Sequence, residues 1–404
     1  MLAILTTHPI QYQVPLWQAL AKEGSVPFEV WYLTDHGTRP TYDNQFGKTF
    51  AWDIDTLSGY PHYFLQVNPN PGVSSFGKLR LNEPLQKRLL DRGITALWVN
   101  GWQVAAYWQA VWQAHAAAIP VWLRGESNDL APPPAIWKKL GKRFWLGQLF
   151  HYIRHFLYIG HANRRLYERY GVNKEQLHPA PYSVDNERFA RQAELLRPNR
   201  KSIRHAWKIP EDAFCVLFAG KFIPKKRPLD LIVAARDRRL AGRPLHLLFV
   251  GSGELGYDLR RACHVVFDAE SSILDGSGGG SFDAAAPQAS FVGFLNQSEI
   301  SKAYVAADCL VLPSDHGETW GLVVNEAMAS GLPCIASDAC GCSEDLVAPL
   351  NTSFRFPLGD TSAIAEALLS LMMHSCSPSI VQRQVAKFSI STTVNTVKGL
   401  YCHY

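Results

Sequence analysis

No Cys-x-x-Cys pair occurs among the eight cysteines of this chain, and Cys340 and Cys342 are separated by a single glycine. That spacing excludes a zinc knuckle. No apolar run is long enough to span a bilayer. The opening MLAILTTHPI reads as a short strand and lacks the charged n-region and cleavage site of a signal peptide. Free thiols in a reducing cytoplasm are therefore expected. Basic residues never run five in a row, and the net charge is only +5. Such a mild bias suits an anionic small molecule or an anionic membrane surface and argues against nucleic acid as a partner. No repeat of solenoid or propeller period is present. No Gly-x-Gly-x-x-Gly opens either half, and GSGELG (251–256) lies inside the second half, which argues against a dinucleotide oxidoreductase.

What the chain does have is apolar content, 47% over 404 residues, enough for large cores and for two domains of ordinary size. Tryptophans concentrate in residues 98–145, as expected of a tightly packed or partly amphipathic N-terminal half. Short apolar runs alternate with segments of three-and-four apolar spacing. LAILTT (2–7), PFEVWYLT (27–34), ALWVNG (96–101), PVWLRG (120–125) and FLYIG (156–160) read as buried strands. FCVLFAG (214–220), LHLLFVG (245–251), ASFVGF (289–294), CLVLPS (309–314) and PCIAS (333–337) repeat the pattern. This alternation predicts α/β architecture, two doubly wound units in tandem, each with a parallel sheet and crossover helices. The polar stretch 186–210 has no strand pattern and marks the boundary. LDGSGGGSFDAAAPQAS (274–290) reads as a flexible surface insertion between a helix and a strand.

The chemistry concentrates in the second half. In GETWGLVVNEAMASGLP (317–333), a loop leads into a helix stopped by Gly331 and Pro333. Glu318 falls just before the helix and Glu326 about two turns inside it. The free amides of Gly321, Leu322 and Val323 at the helix start can hold an anion. The two carboxylates would then flank it and take hydroxyls on either side, the layout of a nucleotide diphosphate sugar. Taken alone, the pair reads more simply as a helix cap and a solvated surface residue. The second element is FAGKFIPKKRPLD (218–230), where a buried strand ends in Gly220, Lys221 follows at once and Lys226 comes five residues later. Ligands of open α/β sheets bind beyond the carboxyl ends of the strands, where two lysines would neutralise a diphosphate leaving group.

Together these pieces resemble the donor domain of retaining glycosyltransferases of family 4, glycosyl transferases group 1, which have the GT-B fold. The resemblance covers residues 214–348. Its parts are Gly220-Lys221 with Lys226, FVGSGE (249–254), FVGFLNQSEISKAYVAADCLVLPS (291–314), the Glu-x7-Glu pair Glu318 and Glu326, and GLPCIASDACGCSEDLV (331–347). It implies two Rossmann-like domains facing across a cleft that closes on the donor. Residues 1–190 would bind the acceptor, 191–210 form a linker, 211–375 bind the donor, and 376–404 form a helical segment crossing back to the first domain.

The resemblance further implies that Lys221 and Lys226 contact the diphosphate, Lys221 standing where the family more often has arginine. Glu318 would hold the transferred sugar and Glu326 the ribose, with Gly251 in the second glycine turn and Phe294 and Leu295 lining the base pocket. Neither a metal nor a cofactor is implied. Cys340 and Cys342 read as small buried residues.

The first half departs from the family. His8, Pro9, Gln11 and Tyr12 replace the usual glycine pair of the first loop, and VWLRGESND (121–129) stands where relatives carry a histidine. His8 and Glu126 are the candidates on the acceptor side, with Arg124 and Ser127 beside Glu126. His8 reads equally as a histidine packed at a strand end. Tyr182, Val184 and Asp185 occupy a position whose role in relatives is structural. The basic, aromatic stretch 136–156 is a candidate for peripheral contact with an anionic inner membrane face, and reads more simply as an ordinary amphipathic helix pair.

The activity implied is transfer of a sugar from a nucleotide diphosphate sugar to a hydroxyl acceptor with retention, in polysaccharide or glycolipid assembly. The alternatives are a nucleotide-sugar epimerase or hydrolase on the same fold and an inactive nucleotide-sugar-binding module. If Glu126 takes the acceptor's proton, Glu126→Gln will lower turnover by about 100-fold or more. Full turnover in that variant would exclude the role.

Overall fold

A computed structural model describes residues 1–43, 45–68, 76–132, 136–270 and 286–402, without the side chains of residues 41, 48, 50, 136–140 and 142. The chain divides into two compact units, one of residues 1–41, 54–184 and 388–404, the other of residues 42–53 and 185–387.

The strands of the first part of the chain are β1 (Leu2–Thr6), β2 (Phe28–Tyr32), the short pair β3 (Thr41–Asp43) and β4 (Lys48–Phe50), β5 (His62–Phe64), β6 (Ala96–Val99), β7 (Val121–Leu123), β8 (Ile153–Tyr158) and β9 (Leu177–Pro179). All but β3 and β4 form one seven-stranded sheet in the order β5-β2-β1-β6-β7-β8-β9, and every neighbour runs parallel. A parallel sheet covered by helices on both faces buries its central strands on both sides. That is why β1 and β6 read as unbroken apolar runs and are buried at every position. Helices α1 (Val14–Glu23), α2 (Leu85–Asp91), α3 (Ala105–Ala116), α4 (Ile136–His151) and α5 (His161–Arg169) make the crossovers. Trp17 of α1 meets Trp98 of β6 edge to face at 5.4 Å.

The second unit carries α6 (Asn186–Leu196) and α7 (Arg200–Ala206). Its sheet contains β10 (Phe214–Ala219), β11 (Leu245–Val250), β12 (His264–Asp268), β13 (Gln288–Phe291), β14 (Cys309–Leu312), β15 (Cys334–Ser337) and β16 (Arg355–Phe356). The order is β12-β13-β11-β10-β14-β15-β16, again parallel throughout. Leu217 of β10 sits between Leu248 and Leu310. Helices α8 (Leu229–Ala235), α9 (Gly256–Arg261), α10 (Ser301–Ala306), α11 (Leu322–Ala329), α12 (Thr361–Met373) and α13 (Pro378–Val385) complete this unit. The last helix, α14 (Ile390–Tyr401), belongs to the first unit, where Val394, Val397 and Leu400 join the core of Trp17 and Leu20. Thr396 Oγ1 donates to the Pro179 carbonyl at 2.6 Å, and Lys398 pairs with Glu23.

Four expectations are corrected. Residues 191–206 are helical and belong to the second unit rather than to a linker, and the boundary falls between Val184 and Asp185. The stretch is polar because its arginines serve internal carbonyls. Arg200 donates to the carbonyls of Val305, Ala306 and Ala307. Arg204 is 2% exposed and donates to those of Ala306, Pro210, Glu211 and Ala213. Both pair with Asp308, which also accepts the Cys215 amide at the start of the sheet.

The insertion expected between a helix and a strand instead follows strand β12, and its residues 274–285 lie outside the described residues. The amphipathic stretch 136–156 is one helix followed by the start of β8 rather than a helix pair. Phe144 and Trp145 of α4 are exposed. Finally, β5, β9, β12 and β16 are additional strands, short and at or near sheet edges, where half-buried positions break the apolar run. No described helix is long and apolar enough to cross a membrane.

Arg204→Met would remove a buried donor from four carbonyls and one Asp308 oxygen, of which Ala306, Pro210 and the Asp308 oxygen keep one other donor each. The expected cost is about 3 kcal/mol, read as a lower denaturant midpoint for the transition that reports the second unit. An unchanged midpoint would contradict this account of the helical stretch.

Candidate functional site

In a doubly wound sheet the strand order reverses at a switch point, and the loops leaving the two strands there diverge to open a crevice. In the second unit that point lies between β10 and β14. The loop after β10 carries Lys221 and Lys226, and the loop after β14 carries Glu318. Lys226 and Glu318 form an ion pair across the switch point, with side chains 17% and 16% exposed. The same loops are joined by the Asp315 amide, which donates to the Lys225 carbonyl at 2.8 Å.

Glycines let the neighbouring loops converge. A Cβ on Gly251, where φ is +130°, would lie 2.0 Å from the Gly220 carbonyl oxygen. One on Gly341 would lie 2.0 Å from that of Thr319. Backbone bonds then knit the edge together. Gly220 donates to Val250, Phe222 to Ser252, Gly251 to Gly293, and Cys342 to Trp320.

The loop holding Glu318 is shaped by its own side chains. Asp315 accepts from the amide of Gly317 at 2.7 Å, and the Trp320 indole, buried, donates to Asn325 of α11 at 2.8 Å. Gly321 adopts φ +105° and the helix begins at Leu322. Glu326 is therefore the fifth helical residue, about 6 Å along the axis from Leu322 and little more than one turn in, closer than the two turns expected. Leu322 and Val323 retain helix-start amides with no intrahelical acceptor.

Glu326 is not a solvated surface residue. It is 3% exposed, accepts from the Gln297 amide at 3.3 Å and from the Tyr304 hydroxyl, and Gln297 is itself gripped by Arg188. Lys221 lies at the other side of the β10 loop. Its ammonium donates to Asp43 at 2.8 Å and to Gln45 at 2.9 Å. Leu295 and Phe294, half-buried, follow β13 two strands away. Cys340 and Cys342 are buried, and the Cys340 thiol is pushed up to about 12 by burial first and then by the Glu318 charge. Both stay protonated at neutral pH and inert.

The first unit holds the other two candidates. His8 follows β1 and bonds the Thr7 hydroxyl at 2.9 Å. Burial, with His36 beside it, pulls its pKa down to about 4, so the imidazole is neutral at physiological pH. Glu126 is exposed and accepts from the Tyr182 hydroxyl at 2.8 Å. Its loop is held from behind. Arg124 is buried and spends its guanidinium on the carbonyls of Ala180 and Pro181. Gly125 donates to the Tyr167 hydroxyl, and a Cβ there would run into Trp102 at 2.2 Å. Asn163 holds the Ser127 carbonyl, and Arg165 and Arg169 hold Asp129. Of Arg124, Glu126 and Ser127, Glu126 is the one with an exposed side chain carrying charge.

The sequence reading missed the partners: Gln297, Tyr304 and Arg188 around Glu326, Trp320 and Asn325 behind the loop, and Asp43 and Gln45 at Lys221. Only the Trp320–Asn325 contact, five residues apart across a helix start, had a local signal.

Two parallel doubly wound seven-stranded units are the architecture of the GT-B fold class. HepE of Anabaena, solved with UDP and glucose, has the same fold, with a TM-score of 0.63 at 15% identity over 100% of this chain and 99% of that one. Residues 213–374 match the family model described as Glycosyl transferases group 1. The D-inositol 3-phosphate glycosyltransferase of Geodermatophilus obscurus is 28% identical over 59% of this chain and 50% of its own length. The sulfoquinovosyl transferase SQD2 of Arabidopsis thaliana is 41% identical over 47% of this chain and 32% of its own. The chain thus spans half or less of the length of these relatives.

Lys226→Met would leave the Glu318 carboxylate partly buried without its counter-charge, at a cost of about 2 kcal/mol. Adding Glu318→Gln should recover roughly 1 kcal/mol in a double-mutant cycle read by denaturant unfolding. Strict additivity would mean the pair contributes nothing.

Proposed function

We propose that the protein is a retaining glycosyltransferase that moves a sugar from a nucleotide diphosphate sugar to a hydroxyl acceptor, without a metal. The observation that carries this reading is the Lys226–Glu318 pair spanning the switch point, with Lys221 on the same loop. Lys221 and Lys226 would balance the charge that builds on the diphosphate as the glycosidic bond breaks. Lys221 is a point charge rather than a guanidinium fork, so it would neutralise the phosphates without fixing them in a plane. Glu318, freed from Lys226 as the phosphates arrive, would take hydroxyls of the transferred sugar. Glu326, held by Tyr304 and Gln297, would take those of the ribose.

Attack on the face of the departing phosphate is what the resemblance to retaining enzymes implies. Glu126, exposed and oriented by Tyr182, is the group to receive the acceptor's proton. The names of the relatives, an inositol phosphate glycosyltransferase and a sulfoquinovosyl transferase, support sugar transfer, and the family resemblance suggests an acceptor in glycolipid or polysaccharide assembly, at a cytoplasmic or inner membrane surface.

A thermal-shift screen of UDP-, GDP- and ADP-sugars in the presence of chelator tests the reading. One donor class is expected to raise Tm by roughly 5 °C at a hundredfold excess over Kd, and Lys221→Met or Lys226→Met to abolish the shift. Absence of a shift with every donor would overturn it. Donor turnover to free sugar or an isomer without acceptor would favour the hydrolase or epimerase alternative, and binding without turnover the inactive module.

A further inference from the structure

The segment 42–53 lies far from the second unit in sequence yet clusters with it. It crosses the carboxyl ends of three consecutive strands, β10, β11 and β13, and touches the loop that follows each. At the first, Lys221 holds Asp43 and Gln45, and its ammonium lies 4.9 Å from the centre of the Phe46 ring. At the second, the Ser252 hydroxyl donates to the Phe46 carbonyl at 2.8 Å. The approach there is so close that a Cβ on Gly253 would meet the Gln45 carbonyl oxygen at 3.0 Å. At the third, Phe46 and Trp52 both lean on Phe294, at 5.2 and 6.4 Å between ring centres. Asn296 donates to the Ala51 carbonyl at 2.8 Å, and the Ser298 amide to Asp53 at 3.0 Å.

These contacts fall on Lys221, the glycine turn 251–253 and the residues around Phe294. On the donor reading, those are the places for the diphosphate and the base. Asp43 brings a carboxylate to the ammonium and Phe46 sets an aromatic ring edge to face on Phe294, so the segment offers an anion and an aromatic ring at the places where a nucleoside diphosphate would bring a phosphate and a base.

We propose that residues 42–53 are an internal stopper of the donor site, with the Asp43 carboxylate holding Lys221 in the place of a phosphate and Phe46 covering Phe294 in the place of a base. The inference rests on the donor-site reading of the preceding subsection. A phosphate within hydrogen-bonding reach of Lys221 would lie beside Asp43, and two anions at that range repel. Burial pulls the Asp43 carboxyl upward, but the Lys221 ammonium and the amides of Phe46 and Gln45 outweigh it and keep the group below the ordinary carboxylate range. It is charged at neutral pH. Donor binding therefore requires the segment to lift, and the apparent affinity is reduced by the fraction of molecules in which it is seated.

The test uses the full chain with UDP, GDP, ADP and inorganic pyrophosphate as probes, titrated by calorimetry. Asp43→Asn keeps an oxygen for the amides of Gln45 and Phe46 while removing the charge, so the turn is retained. It is expected to tighten binding of the preferred nucleoside diphosphate about threefold or more, and Phe46→Ala to act in the same direction. In wild-type protein, adding that nucleotide should speed hydrogen exchange at the amides of residues 45–52.

Binding that is lost in Lys221→Met but unchanged or weaker in Asp43→Asn, or slower exchange at 45–52, would overturn the stopper and leave the donor reading standing. Failure of every probe to bind wild-type, Asp43→Asn and Phe46→Ala protein would overturn both.

Discussion

Two ammonium groups at the carboxyl edge of a parallel sheet set the terms for everything around them. Lys221 and Lys226 sit on a loop whose backbone is pinned to its neighbours, with side chains about a quarter exposed or less. Partial burial makes an unpaired charge costly, so each has drawn in a carboxylate: Glu318 from the adjoining loop and Asp43 from a distant hairpin. Each pairing is also a substitution waiting to be made. A diphosphate brings more negative charge than either carboxylate, and on the proposed function it would take both lysines and free both acids.

The rigid part of this arrangement is backbone. Gly251 and Gly341 allow carbonyls of neighbouring loops to approach where a methyl group would not fit, and the amide bonds from Gly220, Phe222 and Gly251 lock the edge. Behind it, Arg200 and Arg204 gather carbonyls and Asp308 at the opposite edge of the sheet. The charged side chains that do the proposed work are thus mounted on a frame that does not depend on them. That separation is consistent with sites in which the scaffold is settled before the ligand arrives.

The first unit follows a different logic. Glu126 stands on a loop fixed by Arg124, Tyr167, Asn163 and the arginines on Asp129, while its own carboxylate reaches solvent with Tyr182 as partner. His8 is held neutral by burial. A neutral imidazole brings no charge, and on the proposed function the proton-accepting role is therefore given to the exposed carboxylate of Glu126.

The sequence alone determined the two α/β units, because strands buried on both faces must be continuous apolar runs, as in LAILTT and FCVLFAG. It also singled out Lys221, Lys226, Glu318 and Glu326 as candidates, of which the structure pairs Lys226 with Glu318 across the switch point. Local pattern could not supply the status of 191–210, whose polar residues looked like a linker until their acceptors, the carbonyls of Val305 to Ala307, came into view more than a hundred residues away. The burial of Glu326 against Tyr304 and Gln297 likewise depended on which helices pack together. The seat of Asp43 on Lys221 was the least visible of all: a carboxylate and an ammonium separated by 178 residues attract only after the chain has folded, and nothing in either short stretch encodes the distance between them.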